Sequence, residues 1–249
     1  MRVRAVLGLL LVAALAAGAA DHPAMKSARS PEMTEMFGRL AKACSREDES
    51  ALRELAVKLA DYARQHPNDA EAHFGAARAH LALLNLYVLR DQKDPARQEM
   101  DVALKFINRS IELDAERPEA FALRAQLYGW KVALTNVLAR PFVGISYGSK
   151  IDDDLDRARR LDPQNTSLHL SMGMKDYYRP AAAGGSLDRA VHCFRQAIEL
   201  DKDNPDAWLW LGLALKAQKK LPEAKAAFEK VLKLDPDNAR ARRELSALK

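Results

Sequence analysis

Apolar and polar positions alternate along this chain in paired helical blocks. Near its C-terminal end, Trp208, Leu211, Gly212 and Leu215 share one helical face. A break follows at Lys219–Pro222, and Ala224, Phe228 and Val231 then form a second stripe, closed by Pro236. Between blocks a short phrase recurs. It reads LDPQNTSLH at 161–169, ELDKDNPDAW at 199–208 and KLDPDNARAR at 233–242, with looser copies QHPNDAEAHF at 65–74 and ELDAERPEAF at 112–121. Aligned on the Asp (His66 in the first copy), the phrases are 48, 48, 39 and 34 residues apart, a period of 34 with insertions of 14, 14, 5 and 0. Such a period predicts a solenoid, in which each helix pair buries its apolar face only against its neighbours.

The last unit resembles the tetratricopeptide repeat: W-x2-L-G-x2-apolar, then A-x3-F-x2-apolar, then P, all within one period of 34 residues. The other units match residue by residue. One offers His73, Ala76, Ala77 and His80, then Ala103, Ile107 and Ser110. The next has Phe121, Ala125 and Tyr128, then Leu155 and Ala158; the fourth has His169, Met172 and Gly173, then Ala190, Phe194 and Ala197. The weakest, at the start, has Phe37, Leu40 and Ala41, then Leu55, Leu59 and Tyr62. Arg124 replaces a large apolar residue and Ile151 an Ala, which loosens the expected packing of the third unit. Gly212, Gly173, Ala125 and Ala77 should let paired helices approach, with Phe228 and Phe194 filling the space between. The resemblance covers roughly residues 37–238. It implies an all-α, right-handed superhelical solenoid of about five helix pairs with a C-terminal capping helix, over residues 37–249.

The insertions individualise the protein, and all three fall between the two helices of a pair. In the 70–117 unit, fourteen residues amount to about two extra turns on each helix, so a taller hairpin is expected. In the 118–165 unit the first helix should run through Trp130, Val132, Leu134 and Val137. A loop at Pro141–Ser149 should follow, with Ser149 as helix cap and Asp152 three residues on. Asp152, Asp153, Asp154 and Asp156 then read as acidic residues at a helix N-terminus. In the 166–203 unit, Gly184 and Gly185 allow a sharp entry and Ser186 can cap the second helix. This Pro–Gly-Gly-Ser arrangement resembles that of some exported bacterial proteins of the family, including transporter-associated ones.

The N-terminus reads as a separate element. Arg2 and Arg4 precede an apolar run from Ala5 to Ala17, followed by Gly18, Ala19 and Ala20. That layout predicts a secretory signal peptide over residues 1–20, with a linker over 21–36 and a periplasmic or secreted mature protein. The alternative is an uncleaved anchor, which would be the chain's membrane contact. Losing Arg2 and Arg4 takes the formal net charge from +5 to +3. That mild charge, with both signs mixed along the helices, gives no support for nucleic-acid binding. Two cysteines, Cys44 and Cys193, sit in different repeats, too few for a disulfide framework.

No motif points to catalysis, to a cofactor or to a metal. Gly144–Lys150 is one residue short of a phosphate loop and follows no strand. The four aspartates lack the spacing of a calcium loop. His73 and His80 share a face about 10 Å apart, which suits a packing seam better than a metal. What remains is surface. By the geometry of the resembled family, Phe74, Arg78, Ala122, Gln126, Leu170, Met174, Leu209 and Leu213 should line the concave face. A clamp for C-terminal carboxylates, known in the family, is not carried over, because the matching positions here are mostly apolar. An apolar groove suits an extended apolar peptide or a partner helix. Trp130, Phe142, Tyr147, Tyr177 and Tyr178 gather on the inserted edge, where the 141–149 and 179–186 loops should be neighbours. The chain therefore reads as an exported, non-catalytic scaffold for a protein or peptide partner in a bacterial envelope. The alternative is a carrier of a small apolar ligand, with Tyr177, Tyr178, Trp130 and Phe142 enclosing a pocket.

Overall fold

A computed structural model describes residues 30–136 and 138–248. The expected signal peptide and most of the linker lie outside the described residues. Within them the chain forms eleven α-helices, one 3-10 turn and no strand. The helices are α1 (Pro31–Arg46), α2 (Glu49–Gln65), α3 (Ala70–Leu89), α4 (Lys93–Leu113), α5 (Pro118–Ala133), α6 (Arg140–Leu161), α7 (Thr166–Tyr178), α8 (Leu187–Leu200), α9 (Pro205–Ala217), α10 (Leu221–Leu234) and α11 (Ala239–Ser246). They pack as five antiparallel pairs with α11 as a cap. The odd-numbered helices also touch one another and form the inner layer.

The recurring phrase is a helix stop joined to a helix start. The Asp162 N–H closes α6 on Ala158 O, and its Oδ1 accepts from the Gln164 N–H. Three residues on, Asn165 Oδ1 accepts from the Leu168 N–H and caps α7. Asp201 with Asn204 and Asp235 with Asn238 repeat this arrangement. Capping supplies partners that the first N–H groups of a helix otherwise lack. Helix α5 departs from the rule, because Arg117 stands at its cap position and offers no oxygen; Pro118 in the first turn needs none.

Packing follows the small-to-large logic of the sequence. A Cβ on Gly212 would stand 2.5 Å from the Phe228 ring, and one on Gly173 closer still to Phe194. The taller hairpin is present: α3 has 20 residues and α4 has 21. One apolar core runs from Met33 to Ala241, and a smaller one joins α5, α6 and α7 around Phe121, Ile151 and Leu155.

Three boundaries differ from expectation. Helix α1 begins at Pro31 rather than residue 37, because Ser30 caps it and Met33 and Met36 carry the apolar stripe back into the core. Helix α5 ends at Ala133, short of the expected extension. Its last carbonyls are taken by side chains: Arg97 donates to Leu134 O at 2.9 Å, and Arg140 to Ala133 O and Thr135 O at 3.2 and 3.1 Å. The insertion lengthens α6 instead. The Pro141–Ser149 segment is helix, not loop. Asn136 Oδ1 accepts from the Ala139 N–H just before it, and Pro141 lies in the first turn, where its missing N–H costs nothing. Ser149 caps nothing; its hydroxyl donates to Ser146 O at 3.4 Å.

The array also closes. The end of α1 and the turn after it meet α11 and the turn before it, so the first and last helices are neighbours.

Candidate functional site

The closed arrangement changes the expected concave face. Phe74, Ala122, Leu170, Met174, Leu209 and Leu213 are all buried and belong to the packed inner layer rather than to an open groove. Phe74 lies beneath two guanidiniums, with Arg78 at 5.8 Å and Arg117 at 5.1 Å from its ring centre. Gln126 is half-buried and donates to Ser171 Oγ at 2.8 Å. The inner helices pack directly on one another, α3 on α5, α5 on α7 and α7 on α9, and these positions lie within those contacts.

The edge aromatics divide into three groups. Trp130, Tyr177 and Tyr178 turn inward: Tyr178 lies 6.3 Å from Trp130, 4.8 Å from Tyr177 and 5.8 Å from Trp210 between ring centres. The Trp130 Nε1–H donates to Asn85 Oδ1 at 3.0 Å. Burial pushes the Tyr178 phenol well above its ordinary range. Tyr147 packs on Tyr128 at 5.2 Å, with the Lys150 ammonium 4.7 Å above its ring. Phe142 stands apart, largely in solvent. The four residues of the expected ligand pocket are therefore not brought together. Arg179 reaches α6 just beyond the 141–149 segment, at Asp152, 3.3 Å away.

The aspartates lie mid-helix rather than at a helix N-terminus, and two of them, Asp152 and Asp154, hold neighbouring helices. Asp152 pairs with Lys175 at 3.0 Å and with Arg179. Burial acts to raise its carboxyl, but the two cations bring it below the ordinary value. Asp156 pairs with Arg159 at 2.9 Å. Asp154 is buried against Arg124, the residue that departs from the repeat pattern. Gly144–Lys150 is helical and cradles nothing. The two histidines flank Phe106, at 5.9 Å for His73 and 5.7 Å for His80, and His80 Nδ1 lies 2.6 Å from Glu99. Among the described residues no three His, Cys, Asp or Glu side chains gather as metal ligands would, and no helix is long and apolar enough to cross a membrane.

One surface feature escapes the sequence reading. Leu138, Phe142 and Ile145 are 88%, 76% and 79% exposed. Leu138 stands in the turn just before α6, and Phe142 and Ile145 lie three residues apart in its first turns, so the start of α6 presents a group of exposed apolar side chains. The signal is in the sequence, but it appears only when the segment is read with a helical period.

Known proteins place this architecture. A family model described as tetratricopeptide repeat matches residues 181–239 and 214–247. The chain is a tetratricopeptide repeat protein. Over 170 residues it is 30% identical to the chloroplastic tetratricopeptide repeat domain-containing protein PYG7 of Arabidopsis thaliana, covering 68% of this chain and 50% of that one. Over 199 residues it is 26% identical to Superkiller protein 3 of Schizosaccharomyces pombe, 78% of this chain but 12% of the other. The chain thus spans half or less of these curated relatives. Among solved structures it resembles a thermophilic tetratricopeptide repeat protein of Thermus thermophilus, with a TM-score of 0.62, 19% identity, and coverage of 87% and 98% of the two chains. That likeness establishes a shared fold.

Proposed function

We propose that this protein is an exported, non-catalytic scaffold of a bacterial envelope, and that its partner docks on the stripe formed by Leu138, Phe142 and Ile145. The observation that carries the docking site is the exposure of three large apolar side chains within eight residues at the start of α6. Isolated exposed apolar residues are ordinary, but an aligned set on a rigid hairpin is a recognition surface. A stripe of this spacing suits an apolar face of a partner helix. Export rests on the basic, apolar and small-residue layout of residues 1–20.

The test replaces Phe142 and Ile145 together by Ser and compares capture of partners from envelope extracts with that by the parent protein. Loss of a specific partner with an unchanged melting curve supports the site. Retained capture by the folded variant removes the stripe from consideration. Cell fractionation and N-terminal sequencing test export; an intact Met1 in a soluble cytoplasmic fraction would refute it.

A further inference from the structure

The exposed apolar group at the start of α6 stands in a stretch of unusual charge. The chain holds 34 acidic residues in 249, yet there is none between Glu119 and Asp152. Four basic residues fall in that interval: Arg124, Lys131, Arg140 and Lys150. Two are paired from elsewhere in the fold, Arg124 with Asp154 at 2.6 Å and Lys131 with Asp101 at 3.1 Å. Arg140 directs its guanidinium at the carbonyls that end α5. Lys150 is exposed, and its ammonium lies over the rings of Tyr147 and Tyr128 at 4.7 and 5.9 Å. Among the described residues neither Arg140 nor Lys150 pairs with a carboxylate.

Lys150 also shares a row with the apolar group. Phe142, Ser146 and Lys150 follow one another at intervals of four and are all exposed. The cation therefore stands about 12 Å beyond Phe142 along the helix axis, at about 1.5 Å per residue. The first carboxylate past it, Asp152, is held by Lys175 and Arg179. Asp153 is exposed but lies beyond Lys150, further from the apolar group. A partner laid along this row meets apolar side chains first and a positive charge two turns on. A second copy of the chain is a poor fit, because a symmetric contact centred on Phe142 would bring two basic borders together.

We infer that the group formed by Leu138, Phe142, Ile145 and Lys150 receives an amphipathic helix of a partner protein whose apolar face is bordered by acidic residues. The inference rests on the docking reading of this segment and names the partner's chemistry. Apolar contact holds the helix, and the charge selects it over helices with basic borders.

The experiment titrates the isotope-labelled full chain with two synthetic helices and follows amide shifts by nuclear magnetic resonance. Both peptides carry Leu at intervals of four and three on an Ala background; one is bordered by Glu, the other by Lys. The Glu peptide is expected to shift the signals of residues 138–150 and to bind about fivefold more tightly than the Lys peptide, the difference between attraction and repulsion at an exposed charge. Lys150→Glu should reverse the preference and Lys150→Gln should abolish it, both with unchanged circular dichroism. Equal binding of the two peptides, or a preference for the Lys peptide, overturns the inference and leaves the apolar docking site in place. Binding of neither peptide also overturns it, and capture by the variant with Phe142→Ser and Ile145→Ser then decides separately whether the segment docks a protein. Vesicles of phosphatidylglycerol test the lipid alternative: shifts at residues 138–150 with vesicles and with neither peptide would assign the group to a lipid surface and overturn the inference.

Discussion

Arg124 grips Asp154 with two hydrogen bonds, 2.9 Å from Nε and 2.6 Å from Nη2. The pair sits between α5 and α6, beside the smaller apolar core, and Asn108 of α4 adds a contact at 3.2 Å. A buried carboxylate without its cation is costly. Breaking a fully buried pair destabilises by about 3–5 kcal/mol. Arg124 keeps some contact with water, so Arg124→Ala should cost about 2–3 kcal/mol by chemical denaturation. Arg124→Leu with Asp154→Leu should recover a large part of that loss, since apolar residues can fill the same space. A double variant less stable than Arg124→Ala would show that the pair contributes net stability.

Gly212 faces the Phe228 ring with no room for a side chain. Gly212→Leu should therefore destabilise by roughly 2 kcal/mol or more through overpacking. An unchanged thermal midpoint would mean that α9 and α10 do not cross at this point.

Gly144 and Gly148 give the opposite expectation. Both lie inside α6; a Cβ would meet only Val132 at 3.8 Å in the first case and nothing in the second. Glycine inside a helix costs about 0.5–1 kcal/mol relative to alanine. Gly144→Ala with Gly148→Ala should raise the melting temperature. A fall would return this segment to an irregular loop and dissolve the exposed stripe with it.

Cys44 and Cys193 are both buried and unpaired. Burial, with the Asp206 charge adding to it, pushes the Cys44 thiol up to about 12. The thiolate is the reactive form, so a thiol reagent at pH 8 should label neither cysteine until the protein unfolds. The sign of the pH effect follows. The unfolded thiol ionises near its ordinary 9.0 and the folded one near 12, so stability is full below pH 9 and falls as pH rises beyond it. Rapid labelling of native protein, or a Cys44–Cys193 bridge in non-reducing mass mapping, would contradict this arrangement.

The parts of the fold that sequence reveals are those fixed by near neighbours. Asp162 ends one helix and Asn165 starts the next through bonds spanning two to four residues, so the phrase announces both. Gly212 and Phe228 declare their contact because the repeat places them in register. The α5–α6 turn defeats a local reading because its stop is not local. Arg97 crosses from α4 to cap α5, while Pro141 and two glycines advertise a loop that does not form. The inner face is illegible for a related reason. Leu209 and Leu213 are buried, and no spacing within a repeat announces that α1 and α11 will be neighbours. Phe142 stands out in the sequence, but its companions Leu138 and Ile145 are hidden by that same turn.

Joining the ends also changes how such a chain comes apart. In a linear array the terminal units have one neighbour each, so they fray first and unravelling runs inward. Here α1 and α11 support each other. Neither end of the array is a free starting point for unravelling. Proteases that attack loosened ends would find none until that one junction parts, after which both flanks become vulnerable together.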